Sequence, residues 1–138
     1  MDYDLERQYF VEKIVDFVGA LDEHVSDIRT IEDNRVVFRI DDRPFEVLAY
    51  ITEDSDMICV TTRTADLPVK RFDEAVKFLH ANLETCWEYC VAVWPVEARY
   101  DLSMALFVDG FTFEAFESVI YNLLSCAEAI EKRHSSKS

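Results

Sequence analysis

The chain has 138 residues, half of them apolar, a size and composition that suit one domain with its own core. Its 28 acidic residues outnumber 14 basic ones, and the resulting net charge of -14 repels nucleic-acid phosphate and anionic lipid headgroups, setting both aside as partners. No apolar run approaches the roughly 20 residues that cross a bilayer, and Met1-Asp2-Tyr3-Asp4 lacks the basic start of a secretory signal, so no membrane association and a cytoplasmic location are expected.

From Asp4 to His24 the apolar residues Phe10, Ile14, Phe17 and Leu21 recur at helical steps, with Val11, Val18 and Val25 beside them, which predicts an amphipathic helix facing a core. Four extended segments follow, at Asp27 to Ile31, Val36 to Ile40, Phe45 to Thr52 and Met57 to Thr64. Asp33-Asn34, Asp41-Asp42-Arg43-Pro44 and Glu53-Asp54-Ser55-Asp56 separate them with residues that favour turns, so the strands read as an antiparallel meander.

Leu67-Pro68 interrupts the pattern, and Phe72 to Leu83 then places Phe72, Ala75, Val76, Leu79 and Leu83 on one helical face. Tyr89 to Val96 and Tyr100 to Val108 read as two further strands, with Pro95 marking the former as an edge strand or its end. A last helix opens at the N-cap Thr112, where Glu114 suits the first turn and Phe111 and Phe116 have the spacing of a hydrophobic staple. Residues 1–134 are expected to form one α+β domain, an antiparallel sheet of five to six strands in the order α-β-β-β-β-α-β-β-α, with a disordered tail at 135–138.

Catalytic and cofactor motifs are scarce. Gly19 and Gly110 stand alone, without a phosphate-cradling loop. Asp54 and Asp56 lead into Met57-Ile58-Cys59, without the glycine and distal glutamate of a calcium loop. His80, Cys86 and Cys90 lack the second ligand pair of a zinc site, and the four cysteines lie in apolar contexts as reduced thiols. No metal, cofactor or catalytic residue is therefore assigned.

Residues two apart on a strand share a face. Val36, Phe38 and Ile40, then Phe45, Val47, Ala49 and Ile51, then Ile58, Val60 and Thr62, and finally Tyr100 to Val108 in alternation, define an inward face. The opposite face carries Arg39, Glu46, Arg63, Arg99, Asp101 and Ser103, but also Val37, Leu48, Tyr50, Cys59, Ala105 and Phe107. Trp94 joins them in the register that turns Val91 and Val93 inward; the reverse register fits the sequence nearly as well. Val37, Leu48, Tyr50, Trp94 and Phe107 are the candidate partner-binding residues, because an apolar patch with a charged rim marks a protein contact. The same residues would also serve a homodimer seam or lie beneath another element.

The order of elements resembles the type III secretion chaperone-like fold and, within it, the YbjN-like bacterial family. The resemblance is carried by the short helix from Phe72 to Leu83 with Asn82 near its end, and by Leu102 to Ile120, where an apolar strand leads through Asp109-Gly110 into Phe113-Glu114-Ala115-Phe116. It implies a non-enzymatic, chaperone-like or regulatory protein, a homodimer that holds a segment of a partner protein in extended form. Four strands before the second helix are one more than that pattern has, so Asp27 to Ile31 is either a loop or an added edge strand. Two other readings are compatible with the residues: a toxin-neutralising immunity protein, for which the surplus acid would meet a basic toxin, and a small carboxylate-dependent enzyme.

Overall fold

The computed structural model describes residues 2–66, 91–96 and 99–136. In chain order these form α1 (Tyr3–Gly19), β1 (Val25–Ile31), β2 (Arg35–Ile40), β3 (Arg43–Thr52), β4 (Ser55–Arg63), β5 (Ala92–Val96), β6 (Arg99–Phe107), a 3-10 turn at Val108–Gly110, and the C-terminal helix α2 (Phe113–Ser136). The helix expected at Phe72 to Leu83, with His80, Cys86 and Cys90, lies outside the described residues.

The six described strands join one antiparallel sheet in the order β1-β2-β3-β4-β6-β5. The segment expected at Asp27 to Ile31 is an added edge strand, and it begins earlier, at Val25. Its pairing to β2 slips between Ser26 and Arg29, where Asp27 takes a left-handed φ of 54°. The turn expected over four residues at Asp41 to Pro44 contracts to Asp41-Asp42, both with positive φ, and Arg43 and Pro44 enter β3. Such a two-residue loop matches the twist of the strands it joins, whereas a four-residue loop would shorten the ladder. Glu32 also has positive φ, and neither glycine does. Acidic residues thus stand at bends that glycine usually serves, and short Asp side chains tolerate this backbone by bonding locally.

Asp2 caps α1, its carboxylate accepting from the amides of Asp4 and Leu5 at 3.1 and 3.2 Å. The helix stops at Gly19 instead of continuing to His24. Gly19 is a poor helix former, the last turn has no basic residue, and Asp22 and Glu23 would set negative charge against the carbonyl end. Val25, whose spacing fits the helix, opens β1 instead. His24 consequently lies in the connection, where its carbonyl accepts from the Asp41 amide at 3.2 Å.

The start of α2 follows its sequence signals. The Thr112 hydroxyl accepts from the Ala115 amide at 3.2 Å, and Phe111 meets Phe116 edge-on with centroids 5.8 Å apart. The helix runs to Ser136, into the segment expected to be disordered.

Both helices pack on one face of the sheet. From α1 come Phe10, Val11, Ile14 and Val18, and from α2 come Phe116, Ile120, Leu123, Ala127 and Ile130, all buried against the inward residues of β2, β3, β4 and β6. Phe38 and Phe45, opposite each other across β2 and β3, stack at 5.3 Å. Phe17 fills the corner between the helices against Phe111, Phe113 and Phe116. This arrangement leaves the other sheet face uncovered by either described helix.

Candidate partner-binding face

The strand register sorts the face that neither described helix covers into rows that cross the sheet. In one row Tyr50 pairs with Met57 and Met57 with Phe107; in the next, Leu48 pairs with Cys59 and Cys59 with Ala105. Tyr50 is 50% exposed and Phe107 64% exposed, while Leu48, Met57 and Cys59 are half-buried by their neighbours. Leu48, Tyr50 and Phe107 therefore share one apolar strip across three strands. Met57 belongs to it too; its place two residues before Cys59 is the alternation signal that would have included it.

Val37 and Trp94 fall elsewhere. Val37 pairs with Arg29 on one side and Glu46 on the other, and two strands, β3 and β4, separate it from Ala105 and Phe107 on β6. Val91 is buried and Val93 packs against the core, the register in which Trp94 pairs with Asp101. Asp101 is six residues before Phe107 on β6, so Trp94 lies towards the far end of the face from the apolar strip.

That far end is rich in arginine. A concavity of about 320 Å³ is lined by Arg29, Arg39, Arg63 and Arg99, with Val37 and Pro44 between them. Three carboxylates share it. Asp27 lies 3.8 Å from Arg39, Asp101 lies 3.4 Å from Arg99, and Glu46 lies 2.8 Å from Arg35. Among the described residues, Arg29 and Arg63 have no ion-pair partner. The chain's large negative charge thus gives way, on this patch, to a slight excess of positive groups.

The rest of the face offers little chemistry. Burial pushes the Cys59 thiol above its usual range, which disfavours the reactive thiolate near neutral pH. Asp54 sits in the two-residue turn between β3 and β4, and Asp56 pairs with Ile51 inside the ladder. No three His, Cys, Asp or Glu side chains among the described residues are grouped to hold a metal ion. No described helix is long and apolar enough to cross a membrane.

A sheet packed under helices on one side, with exposed aromatic side chains beside charged groups on the other, has the make-up of a surface that can meet another protein. The chain belongs to the Tir chaperone protein (CesT) family, whose model matches residues 16–131. The fold is similar to an uncharacterized protein from Methanothermobacter thermautotrophicus, with a TM-score of 0.60 and 16% identity over 93% of this chain and 99% of that one. It is also similar to a chain of the ExsC-ExsE complex, with a TM-score of 0.56 and 13% identity over 89% of this chain and 94% of that one. No curated protein sequence matches the chain. The resemblance carried by the element order therefore holds for both fold and family, and the role that follows is a chaperone-like one, the binding of a protein partner.

Proposed function

We propose that this protein holds a segment of its partner on the uncovered sheet face, with Leu48, Tyr50 and Phe107 as the apolar anchor and Val37 and Trp94 at the other end. It acts without catalysis, in the cytoplasm, and as a homodimer. The observation that carries this reading is the row Tyr50, Met57 and Phe107: two large aromatic side chains, at least half exposed, flanking a methionine on a face that neither described helix covers. An isolated exposed aromatic is ordinary on a protein surface, but three adjacent large apolar side chains on neighbouring strands form a surface that gains by being covered. Membership in a chaperone family supports the absence of catalysis, and the fold's likeness to a protein solved in a complex supports a protein partner.

The test is to recover the tagged protein from its native cell with whatever it retains, and to repeat this with Tyr50→Ser and Phe107→Ser together. Loss of the retained partner with an unchanged melting curve supports the reading. Retention of the same partner by the doubly substituted protein overturns it. Sedimentation of the pure protein tests the homodimer, and cell fractionation the location.

A further inference from the structure

The net charge of the chain points to a basic partner, but the face available for binding has the opposite local character. Arg29, Arg39, Arg63 and Arg99 come from β1, β2, β4 and β6 and converge on one concavity. Arg39 and Arg99 are each near a carboxylate of the same face, whereas the exposed guanidinium groups of Arg29 and Arg63 have no ionic partner among the described residues. Asp41, Asp42 and Asp66 line a neighbouring hollow that shares Arg39, Arg63 and Arg99. Arg39 donates to the Asp42 carbonyl there, at 2.8 Å.

Arginine holds carboxylate by paired, parallel hydrogen bonds, and it loses less hydration than lysine on doing so. A second copy of this face supplies no spare counter-charge, because Asp27, Glu46 and Asp101 already face Arg39, Arg35 and Arg99. Nucleic acid would bring many phosphates towards a chain of net charge -14. An acidic stretch within a mainly apolar segment brings only a few charges, and it brings them where arginine is waiting. Along β4, Met57 and Arg63 mark the two ends, about 20 Å apart at roughly 3.3 Å per residue.

We infer that the segment held on this face carries carboxylates seated on Arg29 and Arg63, about six extended residues from the apolar side chains that meet Tyr50, Met57 and Phe107. The inference rests on the partner-binding reading above and adds the chemistry of the partner. It makes the site bipartite: the apolar strip gives contact area, and the arginine end gives direction and choice of sequence.

The probe is a displayed library of random peptides of about twelve residues, long enough to span both halves. It is selected separately on the wild-type protein, on the Arg29→Glu plus Arg63→Glu variant, and on the Tyr50→Ser plus Phe107→Ser variant, each first shown by circular dichroism to be folded. The wild type is expected to enrich peptides with Asp or Glu about six positions from an aromatic or aliphatic cluster. Replacing those acids by Lys in a synthetic peptide should weaken binding roughly tenfold or more, and the doubly substituted arginine variant should prefer the Lys peptide.

Enrichment of apolar peptides with no acidic bias, lost on the Tyr50 and Phe107 variant, overturns the inference and leaves the partner-binding reading standing. Enrichment of basic peptides does the same. If the wild type enriches nothing beyond the Tyr50 and Phe107 variant, both readings fall. If, in addition, the wild type sediments as a dimer that those two substitutions dissociate, the face belongs to a second copy of the chain.

Discussion

Arg43 grips Glu131 with both terminal nitrogens of its guanidinium, at 2.9 and 2.8 Å, and so ties the first residue of β3 to the last turns of α2. The same carboxylate accepts from the Ala65 amide at 2.6 Å, and Arg43 also donates to the Arg63 carbonyl at 2.9 Å. One half-buried pair therefore clamps the helix against the ends of two strands. Glu131→Gln keeps the shape but leaves Arg43 without its counter-charge. The expected cost is about 1–2 kcal/mol in urea unfolding, moderated because both side chains keep some contact with water.

The pair also sets an acid limit. Burial alone would raise the Glu131 carboxyl, but the hydrogen bonds from Arg43 and Ala65 and the charge of Arg43 outweigh it and hold the group below its usual value of 4.5. A carboxylate depressed in the folded state stabilises the fold above its unfolded value, and that contribution is lost as pH falls through the lower, folded one. Stability should therefore decline as pH drops below about 4.5, and the decline should be shallower in Glu131→Gln. Thermal melts of both proteins across that range measure the difference.

Aromatic residues on the two sheet faces should respond differently to truncation. Phe116 is fully buried in the seam between the helices and the sheet, so Phe116→Ala should cost about 3–5 kcal/mol. Phe107, opposite Met57 and 64% exposed, has among the described residues mainly cross-strand contacts to lose, and Phe107→Ser should cost less than about 1 kcal/mol. Chemical unfolding of the two variants separates packing from binding.

Asp42 occupies the second position of its hairpin turn with φ of 69°. Glycine adopts that backbone freely, and the carbonyl that accepts from Arg39 would remain in place. Asp42→Gly is expected to raise stability by about 0.5–1 kcal/mol, and Asp42→Ala to lower it. Melting temperatures report the sign directly.

Cys59 lies in the apolar strip between Leu48 and Ala105. With its thiol pushed up by burial, it should react with a maleimide at neutral pH more slowly than an unstructured thiol, and faster as the pH rises. A bulky adduct there should block the face. Peptide mapping of the label at Cys59, followed by a partner-retention assay, tests both expectations.

The sheet was readable from sequence because its two signals agree: strict alternation at Val36, Phe38 and Ile40, and at Phe45, Val47, Ala49 and Ile51, between turns rich in Asp. The end of α1 was not readable, because Val25 satisfies the helical period while the weak helix formation of Gly19 and the acid at Asp22 and Glu23 decide against it. The apolar strip was largely visible in the outward residues of single strands. The arginine concavity was hidden for a different reason. Arg29, Arg39, Arg63 and Arg99 are far apart in the chain, and only the placement of β6 beside β4, together with the register of the meander, collects them.

The slip at Asp27 has a consequence for self-association. β1 closes the described sheet on one side, and a long, even edge would offer its backbone to any passing strand. Here the left-handed Asp27 breaks the spacing of amides and carbonyls partway along, and the neighbouring Asp27 and Arg29 add charge to the rim. A protein that binds other chains must not template its own fibril, and an irregular, charged outermost strand keeps the sheet from growing by accretion on that side.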